Sequence, residues 1–381
     1  VFRHPTPYRD PLLDRVAALD GVQLEVLYLA EGFAPTPWER EPLGHAHAFP
    51  RGYLRRALGL HDVAIHPGAL AHFARFRPDA CVLSGWADPT VLAIAALCVV
   101  TRTPFVTCGE TWHESGRGGA MGVARNVARR LMVRRARAWL PAGSRARDFL
   151  VGLGAAAERC HFFPTSPDAR RWAAWVEALR EEPALRKTLR LPDDGVVVFV
   201  GRVVEDKAPD VLLDAVALLR RTRPVTLALV GDGPMLEALR RHEAASATRF
   251  FGFLQPREVA RVLAGSDVFA LPSRFEPWGA VATEALAAGL PVVLSESVGC
   301  APDLLPDGEV GEIVRTGDAV ALAAALERQL ARSDRRGALR ARAGERALAW
   351  AHDLNLRSLA LALRDAGVAL SPQALRQAGV S

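Results

Sequence analysis

Within this 381-residue chain, two glutamates with seven residues between them, Glu276 and Glu284, lie in the segment SRFEPWGAVATEALAAGLPVV, residues 273–293. The segment follows a strand-like run and reads as a loop, then a helix from about Gly279 to Ala288, closed by Gly289 with Pro291 beyond it. At the start of such a helix the amides of Gly279, Ala280 and Val281 lack a carbonyl within the helix, which makes a place for a phosphate. A carboxylate farther along the helix can accept two hydrogen bonds from a ribose diol, and one on the loop can reach a sugar hydroxyl. Taken alone, the same pair also describes an amphipathic helix with two solvated glutamates.

A second segment supplies the opposite charge. VVVFVGRVVEDKAPDVLLDAVALL, residues 196–219, reads as a strand, a turn at Gly201 and Arg202, and a helix with Pro209 in its first turn. Arg202 and Lys207 fall on the strand-to-helix loop, at the carboxyl edge where parallel sheets hold ligands. Lys187 and Lys207 are the lysines of the chain and every other cation is arginine, which argues against a merely solvated role for Lys207. VGDGP, residues 230–234, adds Gly231 at a further glycine-rich strand end.

The elements that must position these groups alternate along the chain. VQLEVLYL (22–29), DACVLSG (79–85), TPFVTCG (103–109), AWLPAG (138–143) and CHFFP (160–164) read as strands in the first half, with helices between them. In the second half VVVFVG (196–201), VTLALVG (225–231), TRFFGFL (248–254), DVFALPS (267–273), PVVLSES (291–297) and GEIV (311–314) repeat the scheme. Continuous apolar runs bounded by Gly, Pro and Asp suit parallel strands buried on both faces. The pattern predicts a Rossmann-like domain over 1–166, a linker over 167–194, a second such domain over 195–350, and a helical tail over 351–381 that packs back on the first. Half of the residues are apolar and 24% are charged, as in a soluble globular protein, and no stretch is long and apolar enough to cross a bilayer. No charged-then-apolar leader opens the sequence, and five scattered cysteines give neither a disulfide framework nor a zinc spacing, so a reducing cytoplasm is expected. The net charge of +6 comes without zinc-finger or aromatic-basic spacing, which leaves no case for nucleic acid.

In the order GR, EDK, VGDGP, GFL and paired glutamates, residues 196–350 resemble the donor domain of family 4 of the retaining glycosyltransferases. The resemblance implies a GT-B fold, α/β, with two Rossmann-like doubly wound parallel-sheet domains facing across a cleft. It implies that Arg202 and Lys207 hold the diphosphate of a nucleotide-sugar donor and offset the charge that grows as the nucleotide leaves. Glu284 would bind the ribose hydroxyls and Glu276 those of the transferred sugar. Phe253 and Leu254 of the GFL segment would meet the base. Gly201, Gly231, Pro277, Trp278, Gly279, Ala280 and Val281 would complete the donor site. No Asp-x-Asp occurs, so neither a metal held by that motif nor any other cofactor is expected. The leaving phosphate itself would take the acceptor proton, a front-face route also implied by the resemblance.

The first half resembles the family more loosely. HPTPYRDPLLD (4–14) would be the loop and first helix after the first strand, with Asp10 as cap and Pro11 at N1, and with Thr6, Tyr8 and Arg9 on the acceptor side. Thr6-Pro7 stands where many relatives have a glycine pair. In VTCGETWHES (106–115), His113 would contact the transferred sugar, with Glu110 beside it. The other nine histidines have no comparable setting, and His61, His66 and His72 read as surface or capping residues. Arg125, Arg129, Arg130, Arg134, Arg135 and Arg137 crowd one helix in 122–137, with Val123, Val127, Leu131 and Met132 on its apolar side. Such a helix can lie on an anionic membrane, as an enzyme with a lipid-linked acceptor would need, or pack on its own sheet with a solvated basic face. The acceptor classes are a small molecule, a glycan or a lipid-linked glycan. Two other readings share the fold: a nucleotide-sugar epimerase and a nucleotide-sugar-binding protein without turnover.

Overall fold

The computed structural model describes residues 1–31, 38–39, 41–50, 54–55, 64–86, 88–112, 120–332 and 336–380. The chain divides into two compact units, one formed by Val1–Thr165 with Asp353–Ser381, the other by Ser166–His352.

The first unit is built on three parallel strands, β1 (Cys81–Ser84), β2 (Phe105–Gly109) and β3 (Ala138–Pro141), paired in that order. Its helices include α1 (Asp10–Ala17), α2 (Pro89–Thr101) and α3 (Ala120–Arg135). Two expected strands shrink. VQLEVLYL gives only the pairing of Val26–Leu27 with His47–Ala48 and a bridge from Tyr28 to Phe2. CHFFP gives a bridge between Cys160 and Trp139, where His161 N–H donates to the Trp139 carbonyl (2.9 Å) and Phe163 N–H to that of Pro141 (2.7 Å). Pro141 has no N–H to return, so the ladder cannot continue there.

Helix α3 departs from its expected polarity. Arg129 is buried, with its guanidinium 4.9 Å from the Phe149 ring centroid, 5.9 Å from that of Trp86, and donating to Asn126 Oδ1 at 2.6 Å. Met132 and Val133 are buried in the same cluster. The arginine belongs to the core because its stem and planar head cover two aromatic rings. The apolar side read from the sequence is split: Met132 is buried, while Val127 and Leu131 are 52% and 56% exposed. Arg130, Arg134 and Arg135 share that exposed face.

The second unit contains six strands in one parallel sheet: β4 (Val196–Val200), β5 (Thr226–Val230), β6 (Thr248–Gly252), β7 (Val268–Leu271), β8 (Val292–Ser295) and β9 (Gly311–Val314). Their spatial order is β6-β5-β4-β7-β8-β9, the order of a Rossmann sheet. Val196, Val197, Val198 and Phe199 of β4 are wholly buried, as a central strand covered on both faces requires. Residues 167–194, read as a linker holding a polar helix at 170–180, carry α4 (Ala169–Arg180) and a short helix, Leu185–Leu189. Trp172, Val176 and Leu185 are buried in this unit, and α4 packs on α6 (Pro256–Ala264) and α7 (Ala280–Ala287). On another helix pair, α5 (Pro209–Leu219) packs against Ala319–Ala331.

The tail belongs to the first unit. Leu356, Leu359 and Ala360, from the helix His352–Asp365, share a core with Leu12, Leu13 and Val16 of α1. Arg15 pairs with Asp353 (2.7 Å) and His161 with Asp365 (2.7 Å).

The start of α1 differs from its sequence reading. Arg9 is the N-cap residue and makes no side-chain cap bond, while Asp10 lies inside the helix. The Asp10 carboxylate is occupied elsewhere: Tyr28 Oη donates to it at 2.6 Å. Tyr28 Oη also meets His45 Nε2 (3.0 Å), whose Nδ1 meets Asp14 Oδ1 (2.6 Å). His45 is therefore a buried member of a polar cluster, a setting with no local signal in the sequence.

Burial pushes the Asp10 carboxyl up, against the Tyr28 hydrogen bond and the charge of Arg9. A carboxyl raised in the folded state contributes stability that is fully present below the ordinary carboxylate range, and that contribution is lost as pH rises through the raised value. Asp10→Asn should therefore flatten the dependence of the urea unfolding midpoint on pH from about pH 4 upward. An unchanged slope would show that Asp10 does not titrate differently on folding.

Candidate functional site

In this strand order the connections leave β4 and β7 in opposite directions, and the crevice at their carboxyl ends is the position where such sheets hold ligands. The loops there are fastened by backbone. Gly201 N–H donates to the Val230 carbonyl (3.0 Å), Val203 N–H to Asp232 (2.8 Å) and Gly231 N–H to Gly252 (2.7 Å). Gly231 has φ 137°, and a Cβ there would overlap the Gly201 carbonyl oxygen; at Gly233 it would overlap that of Val203. The VGDGP glycines thus allow two loop backbones to touch. Arg202 stands exposed on this edge, and its guanidinium meets no hydrogen-bond acceptor among the described residues. Phe253 and Leu254, half-buried, follow Gly252 on the neighbouring strand end.

Lys207 ends a one-turn helix, Glu205–Lys207, and Ala208 after it takes a left-handed conformation (φ 49°). Arg274 and Phe275 N–H groups donate to the Asp206 carbonyl at 2.8 and 3.2 Å, so the loop after β7 lies along this turn. Glu276 is held on its other side, its N–H donating to Ser297 (3.2 Å) and its carbonyl accepting from Gly299 (2.9 Å). The outcome is a direct ion pair between Lys207 Nζ and the Glu276 carboxylate, each side chain 13% exposed. Sequence spacing suggests separate partners for these two residues, and their separation of 69 positions hides their meeting.

Gly279 is the N-cap of α7 with φ 103°, one residue before the helix proper. A Cβ there would stand 3.1 Å from Val298 Cγ1, 3.3 Å from Cys300 Sγ and 3.4 Å from Glu276 Cγ. Half-buried Ala280 and Val281 head the helix, where N–H groups lack intrahelical partners. Glu284 lies on α7 only 3% exposed among buried Ala282, Thr283, Ala285 and Leu286. A carboxylate at such a position is rare unless it has a bonding task. Pro277 is half-buried, whereas Trp278 packs into the unit's core against Trp350, ring centroids 5.6 Å apart. Its indole therefore supports the loop from beneath.

The residues read on the acceptor side all belong to the first unit. The Thr6 hydroxyl accepts from Arg9 N–H (3.2 Å), Tyr8 meets Trp38 edge-on (5.8 Å), and the Arg9 guanidinium lies 4.2 Å over the Phe2 ring. Glu110, just beyond β2, accepts a hydrogen bond from Thr165 Oγ1. His113 lies outside the described residues, as does His61. Among the described residues no group of three His, Cys, Asp or Glu side chains is placed to hold a metal ion, and no helix is long and apolar enough to cross a membrane.

Residues 181–350 match the model of the family described as glycosyl transferases group 1. Over 292 residues the chain is 32% identical to the GDP-mannose-dependent alpha-(1-6)-phosphatidylinositol monomannoside mannosyltransferase of Mycobacterium tuberculosis, covering 70% of this chain and 68% of that protein. The chain belongs to the glycosyl transferases group 1 family. It is also 29% identical over 260 residues to the glycogen synthase of Mycobacterium tuberculosis, covering 66% of this chain and 60% of that one. The chain spans about half the length of most of the curated relatives it matches. Among solved structures, Anabaena HepE in complex with UDP-glucose matches with a TM-score of 0.69 at 19% identity, covering 93% of this chain and 95% of that one. That likeness carries the GT-B fold of this glycosyltransferase family.

The contact at Gly231 yields a test within the family member itself. Gly231→Ala has to accept both a left-handed φ and an overlap with backbone, and should cost at least about 2–3 kcal/mol. Gly252→Ala, at φ 73° with open space around its Cβ, should cost only about 1–2 kcal/mol. Urea unfolding of the two variants checks the order, and equal losses would show that the backbone approach is relaxed in solution.

Proposed function

We propose that this chain transfers a glycosyl group from a nucleoside-diphosphate sugar to an acceptor with retention at the anomeric carbon, and without a metal held between protein carboxylates. The observation that carries the reading is the arrangement at the Rossmann switch point of the second unit. Cations stand on the β4 side (Arg202, Lys207), carboxylates on the β7 side (Glu276, Glu284), and a helix N-terminus lies between those two glutamates. In this reading Arg202 and the amides heading α7 take the diphosphate, and Lys207 offsets the charge that develops on it as the glycosidic bond breaks. Lys207 also holds one side of the Glu276 carboxylate, leaving that group a fixed acceptor for sugar hydroxyls. Glu284 takes the ribose diol. The leaving phosphate receives the acceptor proton, and no further cofactor enters. Acceptor contacts fall to Thr6, Tyr8, Arg9, Glu110 and His113 of the first unit. The reaction takes place in the cytoplasm. The UDP-glucose bound to HepE and the GDP-mannose in the mannosyltransferase's name make these the first donors to try.

With EDTA present and no acceptor, the protein should slowly hydrolyse one of these donors to free sugar; an epimerised donor would instead favour an isomerase, and no change a binding protein. Lys207→Ala or Glu284→Ala should lower that rate, or donor binding, by about 2 kcal/mol or more, roughly thirtyfold, with an unchanged circular dichroism spectrum. Wild-type rates in either variant remove that residue from the site.

A lipid-linked acceptor fits the exposed face of α3, where Val127 and Leu131 stand among Arg130, Arg134 and Arg135. The protein should then sediment with vesicles rich in phosphatidylglycerol at low salt and be released at high salt. Replacing Arg130, Arg134 and Arg135 by Gln should abolish sedimentation, while Arg129, a core residue, is left intact. A protein that stays in the supernatant at low salt has a soluble acceptor instead.

A further inference from the structure

Arg274 and Asp210 lie 64 residues apart and touch no group assigned to donor chemistry, yet they join the two loops that carry it. Arg274 sits two residues before Glu276, and Asp210 lies in the first turn of α5, three residues after Lys207. The guanidinium meets the carboxylate through both branches, Nη1 donating to Oδ1 at 3.0 Å and Nη2 to Oδ2 at 2.6 Å. Nη1 also donates to the Glu205 carbonyl at 2.9 Å, and the Arg274 backbone N–H to that of Asp206 at 2.8 Å. One residue therefore grips the 205–207 turn by main chain and side chain together. Strands β4 and β7 are paired through Val197–Val268 and Val198–Phe269, but beyond their ends no ladder continues. There the two loops meet through the backbone bonds to the Asp206 carbonyl, the Lys207–Glu276 pair and this fork, the fork being the bidentate contact among them.

An exposed ion pair is ordinarily worth little, and these side chains are 37% and 38% exposed. Here the planar bidentate geometry and the added carbonyl bond give the contact a direction that a point charge could not supply. Burial alone would push the Asp210 carboxyl up, but the hydrogen bond and charge of Arg274 outweigh it and hold it below the usual carboxylate range.

We propose that Arg274 and Asp210 are positioning residues: their fork fixes the Lys207 turn against the Glu276 loop, so that the cation and the carboxylate meet the donor as one preformed pair. The proposal rests on the donor-site reading above. Both side chains are engaged with each other and with the Glu205 carbonyl, so in this proposal they act on nucleotide binding through Lys207 and Glu276.

Calorimetric titration with UDP, GDP and ADP tests it, on wild type, Arg274→Ala, Asp210→Asn, the double variant and Lys207→Ala. Either single fork variant should weaken the best-bound nucleotide about tenfold, and the double variant no more than either single one, because one contact is lost once. Arg274→Lys keeps the charge without the fork and should recover only part of the loss. Where donor turnover is measurable, KM should rise more than kcat falls. Asp210→Asn retains shape, so it serves if Arg274→Ala fails to fold. Additive losses in the double variant, full recovery by lysine, or wild-type binding in both single variants would overturn the positioning role. If Lys207→Ala binds as wild type does, or if no nucleotide binds wild type, the donor-site reading fails and takes the proposal with it. Loss in Lys207→Ala without loss in the fork variants sinks the proposal alone.

Discussion

The reversal of strand order between β4 and β7 is the constraint from which the rest of the second unit follows. Parallel strands need crossover helices, and at the centre of the sheet successive crossovers run to opposite sides. No helix can close the carboxyl ends at that point, so the chain leaves an edge where loop backbones and side chains must satisfy one another. The VGDGP glycines bring the β5 loop onto the β4 loop, and Gly279 brings the start of α7 beside Glu276 and Val298. Polar groups gather there because the sheet's hydrogen bonds run out.

Charge is placed at this edge with unusual economy. Glu284 is carried into a helix of small apolar residues, where a carboxylate gains nothing from packing. Lys207 and Glu276 are mostly withdrawn from water and compensate each other directly. A buried pair of this kind is weak evidence for stability, since desolvation consumes much of its Coulomb energy. In the proposed donor site it gains a second role, as a preformed pair facing a ligand that carries charges and hydroxyls of its own.

Much of this unit was legible in the sequence because its signals are local. Four of its six strands, β4, β5, β7 and β8, are apolar runs that end in Gly, Pro or Ser, and the helix bearing Glu284 is bracketed by Gly279 and Gly289. Contacts between distant segments were not legible. The fork between Arg274 and Asp210, the Lys207–Glu276 pair and the Tyr28–His45 cluster join residues whose separation carries no period. In residues 167–194 the helix at 170–180 is legible, but not the burial of Trp172 and Val176 on its inner side, because the helices that cover them lie elsewhere in the chain. Arg129 shows the same limit: charge alone suggested an outward face, while Trp86 and Phe149, far away in sequence, gave it an inner one.

The membership of Asp353–Ser381 in the first unit has a consequence for the order of folding. The second unit is continuous in the chain, so all of its contacts exist once residue 352 has been made. The first unit is interrupted: Leu12, Leu13 and Val16 of α1 wait for Leu356, Leu359 and Ala360, more than three hundred residues later. During synthesis the earlier segment must therefore remain open, with part of its apolar core uncovered, while the later one closes. Closure over so long a separation is slow, and it makes the docking of Asp353–Ser381 the step that completes the first unit.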